Sequence, residues 1–267
     1  MNRTLRHLKA KFGWRHSKPL PHFLVIGTQK GGTTSLYHLL SKHPDVFLPK
    51  VKEVHYFSQH FHQSRNWYSD HYQRAMPGQL RGDITPFYLF HSAVPERIRS
   101  IMPRVRLIAL LRDPVERTLS QYFHACRQGY EQLDLLAALE AEEQRLSGAD
   151  AVVKSPDGFH YSYQKHSYVS RSRYEIQLQR YRASFPDRQL LVLRSEDLFA
   201  HTDTCLDRLL TFLSLDSMPF SIALPHSNSG KGEAASVPLS LRRDLRQQLA
   251  STYDWVEKEY GITWPEP

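Results

Sequence analysis

The sequence predicts an α/β protein, a P-loop-type parallel sheet flanked by helices on both faces. Three observations carry that reading. HFLVIGT, VRLIALL (residues 105–111) and QLLVLR are short apolar runs of the kind buried on both sides of a parallel sheet. Helical patterns alternate with them, as a parallel sheet with crossover helices requires. A glycine-containing turn, GTQKGGTTS, joins the first strand to the first helix, an arrangement that presents backbone N–H groups to an anion.

Taken in order, the first helix ends before HPDVFLP, and FHQSRNWYSDHYQRA reads as a polar, aromatic-rich helix. QLRGDITPFYLF carries a short strand that feeds a turn at Thr85 and Pro86. VPERIRSIMP is a short helix, with Pro95 near its start and Pro103 ending it. Arg112, Asp113 and Pro114 close the strand VRLIALL, and a helix through VERTLSQYFHACRQG follows. LDLLAALEAEEQRL is an amphipathic helix, and residues 155–173 form a long ordered loop rich in Tyr, His, Lys and Arg. RYEIQLQRYRASFP and DTCLDRLLTFLSL are helical on either side of QLLVLR. A Gly/Ser-rich loop, HSNSGKGEAASVP, precedes a last helix through LSLRRDLRQQLASTYDWVEKEYG. No repeat or linker divides the chain, so residues 1–18 are expected as a basic tail and 19–267 as one domain.

The chain has 267 residues, and its 35 Lys and Arg against 27 Asp and Glu give a net charge of +8. That balance favours an anionic ligand, a polyanion or a membrane surface without choosing among them. Two cysteines, Cys126 and Cys205, supply neither a disulfide framework nor a zinc spacing, and both sit in apolar helical patterns as buried free thiols. No apolar stretch approaches the ~20 residues of a spanning helix. Residues 1–18 are basic and lack acids, with Leu5, Leu8 and Phe12 on one helical face, so a weak contact with a membrane surface is a reading beside that of a simple tail.

The loop departs from the nucleoside-triphosphate form G-x-x-x-x-G-K-[ST]. Thr33 stands where the lysine belongs, and the lysine lies inside the loop at Lys30. Gly31, Gly32, Thr33, Thr34 and Ser35 offer N–H and hydroxyl donors to an anion, with Lys30 reaching beyond the first phosphate. Arg112 ends a buried strand, where open parallel sheets bind ligands, and its planar fork suits a phosphate; a salt bridge to Asp113 or Glu116 is the structural alternative. Ser120 could add a hydroxyl to the same anion. KEVHYF puts Glu53 and His55 on one side of an extended segment, and either could serve as a general base. None of the fifteen histidines shows metal-ligand spacing.

Together these segments resemble the PAPS-dependent sulfotransferase family (PAPS is 3′-phosphoadenosine-5′-phosphosulfate), in the branch of the heparan sulfate enzymes and their bacterial relatives. The resemblance runs from Phe23 to about Lys231. IGTQKGGTTSL is similar to the 5′-phosphosulfate loop, LIALLRDPVERTLSQY to the 3′-phosphate segment, and KEVHYF followed by NWY to the catalytic segment. SRYEIQLQRYRASFPDRQLLVLRSEDL resembles a further shared stretch. The resemblance implies a sulfotransferase fold, PAPS as co-substrate, 3′,5′-adenosine bisphosphate (PAP) as product, and no metal. It assigns Glu53 as the base, with burial raising its pKa, and Lys30 to the bridging oxygen. Arg112 and Ser120 are assigned to the 3′-phosphate, with Lys231 and Gly232 beside them.

Three departures limit the resemblance. GDITP has Asp83 followed by Ile84, where the heparan enzymes carry an acid–lysine pair. The disulfide-bearing loop of the animal enzymes is absent, as is their Golgi anchor. The expectation is therefore a cytoplasmic, bacterial-type enzyme, with a weak membrane-surface contact through residues 1–18 as a further reading, that sulfates a hydroxyl on a carbohydrate or glycoconjugate. No nucleic-acid partner is expected. His55, Trp67 and Asp83 are candidate acceptor contacts, and residues 59–72 and 155–173 the candidate acceptor face. The alternatives are a P-loop kinase or NTPase with Asp113 on Mg²⁺, and a basic polyanion-binding module.

Overall fold

Apolar residues two apart along each strand build the centre of the protein. The computed structural model describes residues 19–217 and 232–266. The basic segment 1–18 and residues 218–231, which include the first part of the Gly/Ser-rich loop with Lys231, lie outside these residues. Five strands form one parallel sheet: β1 (Phe23–Gly27), β2 (Val46–Phe47), β3 (Leu80–Ile84), β4 (Arg106–Leu111) and β5 (Leu190–Arg194), in the order β2-β3-β1-β4-β5. Leu24 and Ile26 of β1, with Leu107, Ala109 and Leu111 of β4, face one core. Phe23, Val25, Ile108 and Leu110 face the other. This is the two-sided burial that the continuous apolar runs predict.

The helices Thr33–Leu40 and Thr202–Leu213 cover one face through Leu36, Leu39, Leu206 and Leu209. Those at Val94–Ile101, Pro114–Arg127, Tyr174–Ser184 and Ala250–Tyr260 cover the other through Ile98, Leu119, Leu178 and Val256. β1 is central, so the loop after it opens at the carboxyl ends of the strands. Crossovers leave β1 towards β2 and β4 towards β5, and the site lies where those directions diverge. Cys205 is buried and Cys126 half-buried, both as free thiols. Among the described residues, no helix is long and apolar enough to cross a membrane.

Several elements differ from the sequence reading. The aromatic helix shortens to Arg65–Asp70, where the Ser64 hydroxyl caps the Trp67 N–H at 3.2 Å. The amphipathic helix breaks at Ala141 into Leu135–Glu140 and Glu142–Leu146. The last helix breaks at the buried Leu249, which lets both halves lie on the core. The stretch 155–173 is no open loop. It holds a helix at Tyr161–Lys165 and a 3-10 turn at Ser170–Ser172, with Tyr168, Arg171 and Ser172 buried.

Two acids hold that stretch down. Glu142 accepts the N–H groups of Val169 (2.7 Å) and Ser170 (2.9 Å). Glu131 accepts two bonds from the Arg145 fork (2.6 and 3.2 Å), the Tyr168 hydroxyl (2.7 Å) and the N–H groups of Gln132 and Leu133. Burial by itself raises the Glu131 pKa, but the Arg145 fork and these other donors outweigh it and hold the carboxyl down at about 2. A depressed carboxyl pKa stabilises the fold above its unfolded value near 4.5, and the gain disappears as pH falls through 2. Glu131→Gln should therefore cost about 2 kcal/mol at pH 7. In thermal melts, the gap from wild type should narrow as pH falls from 5 towards 2.

Candidate active site

The loop between β1 and the first helix is shaped by two glycines. A Cβ on Gly31 would stand 2.7 Å from the Leu110 carbonyl oxygen, so only glycine lets the loop backbone lie against β4. Gly32 has φ +86 and caps the helix Thr33–Leu40 from the left-handed region. Thr28 N–H donates to Leu110 O (2.9 Å), Gly31 N–H to Thr28 O (2.9 Å), and the Ser195 hydroxyl to Gly31 O (2.8 Å). The loop is thus fixed from below by β4 and from the side by the segment after β5. Its helix begins in Thr33, Thr34 and Ser35 with no acidic residue in the first turn, which leaves the positive helix end for an anion.

Above the loop lies a cavity of about 670 Å³, lined in part by Lys30, Thr34, Lys52, Glu53, Arg112 and Phe199. Burial, then the neighbouring charges of Arg127, Arg112, Arg117 and Lys52, pushes the Lys30 ammonium down to about 8. Lys30 also has φ +72, and Glu53 (φ +63) and His55 (φ +55) share that unusual backbone region. Only one other described non-glycine residue, Ser214, does so. Left-handed backbone costs ordinary residues roughly 1–3 kcal/mol, and such residues gather at functional sites.

Glu53 and His55 are neighbours across that kinked backbone, with Glu53 Oε2 at 3.5 Å from His55 Nε2. Val54 and Tyr56 point into the core, so the alternation read from KEVHYF survives although the segment is not a strand. Lys52 completes the group: its Nζ donates to Thr34 Oγ1 at 2.6 Å and lies 3.4 Å from Glu53 Oε1. Burial raises the Glu53 pKa, as expected, but His55 and Lys52 together outweigh it, and the carboxyl is held below its ordinary value. The expected upward shift is therefore corrected to a downward one in the ligand-free protein.

The opposite wall comes from β4 and β5. Arg112 Nη1 donates to Lys30 O (3.3 Å), and its Nη2 lies 3.9 Å from Glu116 Oε2, while Arg242 engages the other oxygen of Glu116. The Tyr174 hydroxyl holds the Arg112 carbonyl at 2.9 Å. Asp113 caps the next helix, accepting Glu116 N–H (2.8 Å) and the Tyr253 hydroxyl (3.0 Å), so both of its oxygens are engaged. Glu196 takes the Asp113 N–H at one oxygen and the Trp264 indole at the other, each at 2.9 Å.

Most of the sequence candidates meet here. Lys30, Gly32, Thr33, Thr34, Ser35, Glu53 and Arg112 line the cavity, and Gly31 lies beneath it. Ser120 shares a helix face with Glu116 and His124, four residues away on either side, and both of those line the cavity. Gly232 (φ +79) opens a 3-10 turn that Glu233 ties to Arg127. Two candidates are corrected. Asp83 is fully buried and accepts hydroxyls from Tyr68 (2.8 Å), Tyr88 (3.0 Å) and Thr85 (2.7 Å), so it braces the core instead of meeting a substrate. Trp67 packs on Tyr56, His60 and His71, outside the cavity. The sequence reading missed Gln29, Lys52, His124, Ser195, Glu196 and Phe199. Lys52 had the one available signal, its place beside Glu53 in KEVHYF. Among the described residues, no group of three or more His, Cys, Asp or Glu could hold a metal ion.

Fold and site define an α/β protein whose glycine-shaped loop and helix start face a cavity lined by Lys30, Glu53 and Arg112. The sulfotransferase domain family matches residues 20–226, and the chain belongs to that family. It is 42 % identical over 106 residues to membrane-associated sulfotransferase kil1 of Dictyostelium discoideum, covering 39 % of this chain and 22 % of that protein. It is 30 % identical over 219 residues to bifunctional heparan sulfate N-deacetylase/N-sulfotransferase 3 of Homo sapiens, covering 78 % of this chain and 23 % of that protein. The chain thus spans under a third of the length of these relatives. The solved sulfotransferase from Alicyclobacillus acidocaldarius shares the fold, with TM-score 0.75 and 23 % identity over 92 % of this chain and 98 % of that one.

An anion bound above the loop raises the Lys30 pKa by favouring its charged form. With a free-protein value of about 8, binding should draw a proton from solution around and above that pH. Affinity for PAP should accordingly fall as pH rises past 8. Calorimetry in buffers of different ionisation heat would measure the uptake, and Lys30→Met should abolish it.

Proposed function

We propose that this chain transfers a sulfuryl group from PAPS to a hydroxyl of a carbohydrate or glycoconjugate. The acceptor oxygen forms a bond to sulfur while its proton passes to Glu53. The bond between sulfur and the bridging oxygen breaks, and the electron pair leaves on the 5′-phosphate of PAP. Lys30 neutralises the charge growing on that oxygen, an electrostatic role that depends on placement. Arg112 and Ser120 hold the 3′-phosphate, with Lys231 and Gly232 contributing from the following loop. Phe199 and Ala200 offer an apolar wall for the adenine. His55 orients Glu53 from 3.5 Å away.

The observation that carries this reading is one cavity lined by both the early lysine of the loop and Glu53, with His55 at 3.5 Å from the Glu53 carboxylate. The family match supports the reaction type, and the heparan sulfate enzymes among the relatives support a glycan acceptor. Asp83 and Ile84 are both buried, so the carboxyl end of β3 offers no cation to a polyanionic chain, which favours a less charged glycan. A kinase or NTPase reading lacks its Mg²⁺ ligand, because Asp113 is committed to capping a helix and to Tyr253. The basic segment 1–18 suits a peripheral contact between a cytoplasmic enzyme and an anionic membrane surface.

PAP should raise the melting temperature, whereas ADP with Mg²⁺ should leave it unchanged; the reverse pattern would restore the NTPase reading. Arg112→Ala should weaken PAP binding by roughly 10- to 100-fold, the scale of lost charge-assisted bonds. Lys30→Ala should mainly lower turnover, by roughly 100-fold or more. Glu53→Gln should still bind PAP but transfer at least roughly 100-fold more slowly, measured with labelled PAPS and a glycan acceptor panel. Near-normal transfer by that variant would move the base to His55.

A further inference from the structure

Three cationic side chains, Lys30, Lys52 and Arg112, line the cavity among the described residues. Lys30 and Arg112 have their places in the proposed reaction, and Lys52 has none. It follows β2 and reaches the loop from the Glu53 side of the cavity. No other cation lines that side: β3 ends in the buried Asp83 and Ile84. The partner of its ammonium is the Thr34 hydroxyl at 2.6 Å, a neutral acceptor in the first turn of the anion-holding helix. An anionic oxygen makes a stronger bond to an ammonium than a hydroxyl does, and Thr34 stands where such an oxygen would arrive. The same ammonium is 3.4 Å from Glu53 Oε1, so its position sets how strongly the base holds a proton.

We propose that Lys52 is a second catalytic lysine, which leaves the Thr34 hydroxyl to hold a non-bridging sulfuryl oxygen of the donor and in doing so frees Glu53 to act as base. The inference rests on the sulfuryl-transfer reading above. No bond to Lys52 forms or breaks. Its charge passes from one oxygen set to another while sulfur moves from the bridging oxygen to the acceptor and the acceptor proton moves to Glu53. The arrangement reconciles two opposed needs. In the free protein Lys52 and His55 keep Glu53 ionised, and donor binding diverts Lys52 so that the carboxylate regains basicity when sulfur is present. The other charged or titratable groups facing Glu53 are Arg171, from the turn at Ser170–Ser172, and His124, from the helix Pro114–Arg127.

The test compares Lys52→Met and Lys52→Arg with wild type in PAP binding, in PAPS turnover and in the pH profile of kcat/KM for PAPS. PAP lacks the sulfuryl group, so its affinity should stay within about threefold in Lys52→Met while kcat falls roughly 100-fold, the scale of one lost preorganised donor. The acidic limb of kcat/KM should move to higher pH in Lys52→Met and stay in place in Lys52→Arg. That limb reports the protonation of Glu53 in the free enzyme. Loss of PAP affinity with unchanged kcat would make Lys52 an anchor for the 5′-phosphate and overturn the proposal. A fall in kcat without movement of the limb would overturn the coupling to Glu53. Failure of wild-type protein to bind PAP would instead overturn the sulfotransferase reading beneath it.

Discussion

Everything at the site depends on how closely the loop after β1 approaches the end of β4. Gly31 lets its backbone settle against the Leu110 carbonyl, where any side chain would collide. That contact aims the N–H groups of the following helix into the cavity, and it sets Lys30 beside Arg112, whose guanidinium bonds to the Lys30 carbonyl. The Ser195 hydroxyl then ties Gly31 to the segment after β5. Three strand ends are thus joined through one turn of backbone, and a shift there would misplace both cations together.

The second feature is positive charge held in place without acids of its own. Arg117 and Arg171 are almost fully buried. Arg117 bonds to the Ser172 hydroxyl and the Tyr168 carbonyl. Arg171 bonds to Gln29 and the carbonyls of Tyr163 and Gln164, and its guanidinium lies over the rings of Phe87 and Phe90. Burial lowers both pKa values, to about 10 and about 9, so both remain charged at neutral pH. Their fields are not cancelled at contact distance, and that of Arg117 adds to the potential that depresses Lys30. An anionic ligand in the cavity would relieve that repulsion.

The sheet was legible because β1, β4 and β5 are apolar on both faces, which leaves little choice of structure. β2 was not, since two residues carry no period and its pairing with β3 is long-range. The loop, Arg112 and Glu53 were legible as residue types in a recurring order. Asp83 was misjudged because the three hydroxyls that satisfy it come from Tyr68, Thr85 and Tyr88, and only folding brings them together. The direction of the Glu53 shift was misjudged for a related reason. Burial can be guessed from sequence, whereas the separation of Lys52 and His55 from the carboxylate follows from two left-handed residues.

The strand order has a consequence for assembly. β1 pairs with β3 and β4 and not with β2, its neighbour in the chain, so every ladder closes a long stretch of polypeptide. The anion cradle needs β4 in register beside β1, and its outer wall needs β5 after that. No early fragment of the chain can carry a working half of the site. Non-local pairing of this kind makes folding slow, and it also means the catalytic groups meet only when the whole domain is in place. A nascent chain therefore cannot assemble the cavity before β5 has emerged.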